Sequence, residues 1–430
     1  MTALPPNHPQ RIEINDEVHA RPPERLSAPA RVTYLALIGT PEQREASFRA
    51  IAGLAERFGA TPPAPGANHF SADLGPFRVK WERHSEFVRC KFIVPGDGGE
   101  AGPFAAPALA AVPSDWVAAL PGEVIAAAHV ALLPAGGSPP HHRDIAAAYF
   151  GGNVLIGAAV SGQAATAYTD FRIHADGFSR VLILNRDTTP WQAGRITQRL
   201  LEIDTYRVLA MLALPVARGL APLLARGGQE LGDITAALVD AGEKDEPELL
   251  DRLTRLSAEI DSAQARTRFR FSAAEAYDEL VDRRIKELRE ERIQGLQTFR
   301  EFTDRRMAPA MQTCRSVSAR IESLSQRVAR ATQLLSTRVD VTRERQNQAL
   351  LESMNRRVKL QLRLQSTVEG LSVAAITYYI ASLVGRVAEA LEVAGLHINP
   401  SLAEGIAIPL IAGGMAIGIR RVRRLVHRAP

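Results

Sequence analysis

The sequence predicts an α+β domain over residues 1–187, a long helical stalk with a coiled-coil segment over 188–365, and a two-helix transmembrane hairpin with a basic tail over 366–430. Three composition changes predict it. Up to about Asp187 the chain is rich in Gly, Pro and short β-type runs. From Pro190 to about Arg363 it is poorer in Pro and dense in Arg, Glu, Gln and Leu. Two nearly uncharged apolar stretches and an Arg-rich end complete the chain. The 430 residues suit two or three domains, at roughly 100–200 residues each.

In the first region, residues 31–38 form a mostly apolar run closed by Gly39, the pattern of a buried strand. Residues 41–58 come next as a helix, with Thr40 as N-cap, Pro41 in the first helical position and Gly59 as C-cap. Residues 77–82 and 87–94 mix apolar and polar side chains in near alternation, the pattern of paired strands over a half-exposed face. Further strands are expected at 124–133, 154–160, 164–171 and 180–184. Many strands with few helices and no strict βαβ alternation predict a mixed, largely antiparallel sheet.

The helical region opens at 191–214, where Thr188-Thr189-Pro190 supplies a start and Pro215 a stop. Helices are then expected over 247–269, over 272–290 and from Gln294 onward. Val317, Ile321, Leu324, Val328, Ala331 and Leu335 are spaced 4, 3, 4, 3, 4, a heptad seam. Such a seam packs either within one subunit or between copies, and self-association through stalk and hairpin is expected because the seam needs a partner surface.

Residues 366–385 contain one charge, Glu369, and residues 399–419 contain one, Glu404. A bilayer span takes about 20 mostly apolar residues. Gly405, Pro409, Gly413, Gly414 and Gly418 fit the composition of membrane helices. Arg356, Arg357, Lys359 and Arg363 precede the first stretch, and five arginines succeed the second, whereas acids outnumber Arg386 between them. The positive-inside rule then puts both chain ends in the cytoplasm. Glu369 and Glu404 are expected near opposite ends of the spans, where a carboxylate can be solvated. Tyr378 and Tyr379 are expected to pack against the second span.

Composition narrows the function classes. The formal net charge of +5 resides in Arg420, Arg421, Arg423, Arg424 and Arg428, without which the chain is formally neutral. A basic face for nucleic acid is therefore not expected. Two cysteines, Cys90 and Cys314, build no disulfide framework and no zinc site by themselves. Arginines near Cys314 would lower its pKa. No G-x-S-x-G, Walker A or G-x-G-x-x-G motif is present, so no enzyme activity is expected and no cofactor is indicated.

Residues 15–23, Asn15-Asp16-Glu17-Val18-His19-Ala20-Arg21-Pro22-Pro23, resemble the opening signature of a bacterial family of uncharacterised membrane-anchored proteins. The runs at 206–215, 305–314 and 362–373 resemble it too, so the resemblance extends along the whole chain. It implies a membrane anchor, hence the bacterial inner membrane, with the lipid bilayer as partner. The C-terminal third, where residues 353–357 lead without a break into the first span, is similar in layout to the CorA-type magnesium channels. That family carries Gly-Met-Asn at the outer end of its first span, and here residues 383–387 read Leu-Val-Gly-Arg-Val. No ligand residue carries over.

The densest chemical cluster is Asp16, Glu17, His19 and Arg21 on a segment stiffened by Pro22-Pro23. Two carboxylates, an imidazole and a guanidinium could bind a metal or a phosphate. A segment tethered to the domain by salt bridges would have the same composition, and that structural reading is the one expected. Adjacent His141 and His142 are expected on a surface loop, since neighbours in an extended segment point to opposite sides.

Overall fold

A computed structural model describes residues 7–12, 14–15, 22–99, 102–137, 140–393 and 399–426. The chain divides into two compact units, 1–240 with 251–332, and 241–250 with 333–430. These limits differ from the composition shifts at 187 and 365.

The first unit contains one sheet in which nine strands are described: β1 (Ala30–Ile38), β2 (His69–Asp73), β3 (Arg78–Arg83), β4 (Phe87–Pro95), β5 (Glu123–Pro134), β6 (Ile156–Val160), β7 (Ala165–Thr169), β8 (Ser179–Asn185) and β9 (Glu291–Arg292). Their order is β2-β3-β4-β1-β5-β8-β7-β6-β9. Only the β5–β8 pair is parallel; the other pairs are antiparallel. The mixed, largely antiparallel sheet is thus as the sequence predicts. Its last strand, however, comes from the helical half of the chain.

One face of β1, β3 and β4 presents Leu35, Leu37, Val79, Trp81, Cys90 and Phe92 to helix α1 (Pro41–Arg57). Thr40 and Gln43 close a capping box at the start of α1, satisfying two backbone donors reciprocally. Trp81 Nε1 donates to Ser47 Oγ at 2.9 Å and fixes the helix to β3. The short helix α2 (Ser114–Ala118) adds Trp116, whose Nε1 donates to the Ala50 carbonyl at 2.8 Å. The small helix α3 (His142–Tyr149) starts at His141, whose Nδ1 accepts from the Arg143 amide; His141 is exposed and His142 half-buried.

The opposite face is covered by α4 (Pro190–Met211), which a Thr189–Gln192 capping box starts. This overturns the expectation that β3 and β4 are half exposed: Lys80, Glu82, Arg89 and Lys91 all lie at 4% exposure or less. Nor does Pro215 end the helical run. Helix α5 (Ala213–Asp240) begins just before it, so Pro215 sits in a first turn, where a missing N–H costs nothing. Helix α6 (Glu246–Leu288) runs unbroken through Ser272. After α7 (Phe299–Arg306) comes α8 (Ala308–Val393), 86 residues long.

The heptad seam finds its partners inside the chain. Val317, Ile321, Leu324 and Val328 are buried at 7% exposure or less. Leu324 converges with Leu256 and Ile260 on Gly227, a position where a Cβ would meet the Leu324 side chain at 3.1 Å. Packing against α5 and α6 removes the seam as a reason for intersubunit pairing.

In the second unit, Glu246 is 2% exposed and pairs with Arg338 at 2.5 Å. Thr377, Ala381, Gly385 and Ala388 form the covered side of α8. The Glu404 carboxylate, on α9 (Pro400–Val426), lies 3.3 Å from where a Cβ on Gly385 would stand. Nearer the other end, Glu369, Met415 and Ile419 line a common cavity. Tyr378 and Tyr379 are about 70% exposed. They do not pack on α9, because the small residues at 377, 381, 385 and 388 occupy that side.

Three helical stretches are long and apolar enough to cross a membrane by length and composition: Pro190–Asp240, Ala308–Val393 and Pro400–Arg421. The first is not apparent from the sequence pattern, because Pro215 divides its apolar run.

Candidate functional site

Asp16, Glu17, His19 and Arg21 lie outside the described residues. The segment from Pro22 to Leu26 is held firmly against the sheet unit. Pro22 offers its carbonyl to Lys80 Nζ, and the Leu26 amide donates to the Pro190 carbonyl at 3.0 Å. Glu24 accepts from Ser71 at 3.0 Å and Arg78 at 3.4 Å. Its backbone carbonyl presses on α4 so closely that a Cβ on Gly194 would sit 1.7 Å from it. Only glycine permits that approach.

Beneath α4 lies a buried layer of charge. Register pairs Glu82 with Arg89 and Lys80 with Lys91 across β3 and β4. Arg89 Nε donates to Glu82, and its Nη1 donates to Glu202 of α4 at 3.0 Å. Glu202 also accepts from Gln198 at 2.8 Å and from Arg284 of α6. Lys80 Nζ stands 3.5 Å from Glu82 Oε1. Burial by itself would push the Glu82 carboxyl up, but Arg89, Lys91 and Lys80 together hold it well below its ordinary value. Glu202 is likewise lowered, with burial opposed by Arg89 and Arg284. Tyr34, whose hydroxyl lies 2.8 Å from Thr205 Oγ1, closes the layer beside β1.

The layer extends outward. Arg284 donates to Glu287 at 3.0 Å, and Glu287 accepts from Arg199 Nε at 3.1 Å. A continuous chain of charge-assisted bonds therefore runs from Glu82 through Arg89, Glu202, Arg284 and Glu287 to Arg199. Such bonds are about twice as strong as neutral ones, and here they fix α4 and α6 against the sheet.

Lys91 is the exception. It is 4% exposed and has no hydrogen bond or ion pair among the described residues. Burial, with Arg89 adding to it, brings its amine down to about 8. At pH 7 the amine is charged in both folded and unfolded chains, so the full desolvation cost is present. Between pH 8 and 10.5 the folded chain releases the proton first, and the cost fades. Lys91→Met is expected to raise stability by about 2–3 kcal/mol at pH 7, and the gain should vanish near pH 10.5. Denaturant titration at both pH values tests this, and an unchanged midpoint at pH 7 contradicts it.

His129 packs on Phe178 at 4.0 Å between ring centroids, and its Nδ1 lies 2.9 Å from Thr33 Oγ1. Burial brings its imidazole down to about 4, so it stays neutral in the core. Burial raises the Cys90 thiol to about 12. It also raises Cys314, outweighing Arg315, and the expected acidic thiol is corrected accordingly. Among the described residues no group of three or more His, Cys, Asp or Glu side chains is placed to hold a metal ion.

One family model, described as "Protein of unknown function (DUF3422)", matches residues 6–426. The chain belongs to this family. The DUF3422 match spans both units, the sheet and the C-terminal apolar helices alike. No curated protein and no solved structure matches the chain.

Proposed function

We propose that the protein is a membrane-anchored scaffold or sensor: the sheet unit binds a ligand or partner, and α9 with the C-terminal part of α8 forms a hairpin in the bacterial inner membrane. One observation carries the anchor. The apolar window of Pro400–Arg421 has a mean hydropathy of 1.8, and none of it is buried by the rest of the chain. An uncovered apolar helix of that length calls for lipid around it. The window in Ala308–Val393, with mean hydropathy 1.5 and 22% buried, has the same character. Small residues at 377, 381, 385 and 388 support close helix contact of the kind membranes favour. The stretch Pro190–Asp240 is different, because Glu202, Asp204 and Thr205 within it are buried.

Both chain ends are then cytoplasmic. A reporter fused after Pro430 is expected to read cytoplasm, and one inserted between Val387 and Ile398 is expected to read the outer side. Cytoplasmic signals from both would rule out the hairpin.

A further inference from the structure

The outer end of the ion chain opens into a groove of about 530 Å³ between α4, the end of α6 and the β6–β7 turn. We propose that this groove binds a ligand carrying two or more phosphate groups. The proposal deepens the reading of the sheet unit as a binding module, and rests on it.

Charge is the first argument. Arg195, Arg199, Arg283, Lys286 and Arg289 line the groove against a single carboxylate, Glu287. That carboxylate is already engaged by Arg199 and Arg284. Lys286 pairs with Asp282 at 2.5 Å. Arg195 and Arg283 have no ion-pair partner among the described residues, and both are exposed. A surplus of guanidinium groups converging on one concave surface favours phosphate oxygens, which guanidinium binds bidentately. The volume lies within the range of small-ligand sites.

Preorganisation is the second. Arg199 is held at 3.1 Å by Glu287, which Arg284 ties back to Glu202 in the buried layer. The groove floor is thus fixed by the same bonds that fix α4 to the sheet, and Arg199 is already ordered for a ligand, whereas Arg195 and Arg283 are ordered only on binding.

Backbone conformation is the third. Four described non-glycine residues have positive φ, and three of them are at this place: Ser161 at 58°, Gln163 at 63° and Arg289 at 49°. Glycine is the residue that such positions cost least, yet the chain keeps side chains here. Ser161 lines the groove, and Arg289 reaches its hydroxyl at 3.4 Å. Strain retained around a polar concavity is the pattern of a binding site.

The phosphates could belong to a soluble compound or to an anionic lipid headgroup, and two probes separate these. Full-length protein in neutral detergent is titrated calorimetrically with inorganic triphosphate, and separately with a monomeric short-chain cardiolipin, whose headgroup carries a pair of phosphates. Saturable binding of either is expected, the tighter probe identifying the source. Reversing both unpaired arginines, Arg195→Glu with Arg283→Glu, is expected to weaken it at least about tenfold, and the Arg195→Gln, Arg283→Gln pair to weaken it less. Arg218→Glu, an exposed reversal on α5, should leave it intact. No saturable binding of either probe overturns the proposal, as does binding equally sensitive to the Arg218 reversal. The reporter test of the hairpin uses none of these residues, so either reading can fail without the other.

Discussion

A chain ending at Arg363 is expected to leave the membrane. The full-length protein should stay in the membrane pellet after alkaline carbonate extraction, and the shortened one should appear in the supernatant. The magnitude comes from composition. Residues 400–419 hold seven leucines and isoleucines, each contributing about 0.3–0.6 kcal/mol to insertion near a helix centre. That gives a modest driving force of roughly 2–4 kcal/mol, which Glu404 at the centre of the bilayer would cancel. Its position beside Gly385, close to the start of α9, would avoid that cost were this end of the helix at the interface. The second apolar helix is therefore sufficient only if Glu404 lies near an interface, and α8 must insert with it. If the shortened chain still pellets, the anchor lies upstream, and Pro190–Asp240 is the remaining stretch with the necessary length and hydropathy.

The parts of the fold that local chemistry decides are legible in the sequence. Thr40-Pro41 and Thr189-Pro190 announce helix starts, and both form capping boxes. Buried runs such as Ala30–Ile38 announce strands through apolar continuity. Expectation and structure part where a distant element completes the environment. The alternation in β3 and β4 describes a half-exposed strand equally well until α4 covers it, and Glu202 reaches Arg89 from 113 residues away. The same distance conceals the site. Lys80, Glu82, Arg89 and Lys91 look like solvent-facing charges when only their neighbours are read. The groove likewise draws Ser161, Arg195 and Arg283 from three separate segments, and no spacing rule links them. Pro215 misleads for another reason: proline marks a helix start as readily as an end, and nothing in the adjacent residues distinguishes the two.

The charge layer makes Arg89 the residue whose loss should cost most. Arg89→Met is expected to destabilise the chain by about 3–5 kcal/mol, read as a lowered denaturant midpoint of the full-length protein in detergent. The side chain is 3% exposed and bonds both Glu82 and Glu202. Without it, Glu202 keeps Arg284 and Gln198, whereas Glu82, at 0% exposure, keeps an ion pair to Lys80 at 3.5 Å and the more distant charge of Lys91. Most of the cost is thus assigned to Glu82, and the dependence on pH isolates it. In the native chain the Glu82 carboxyl is held below its ordinary value of 4.5, so its contribution is present above pH 4.5 and lost as pH falls through the folded value. In the variant, Lys91 and Lys80 are left to oppose burial, the largest influence on this carboxyl, and it is expected to rise above its ordinary value of 4.5. The sign then reverses, because the folded state now retains the proton longer than the unfolded state does. Stability of the variant should fall as pH rises from 4.5 toward about 7 while that of the native chain does not. Adding Glu82→Gln to Arg89→Met removes the stranded charge, and should recover about half of the loss and abolish the reversed slope. A midpoint for Arg89→Met close to the native one, with unchanged pH dependence, would mean that water reaches the layer and that α4 is held to the sheet by apolar contacts alone.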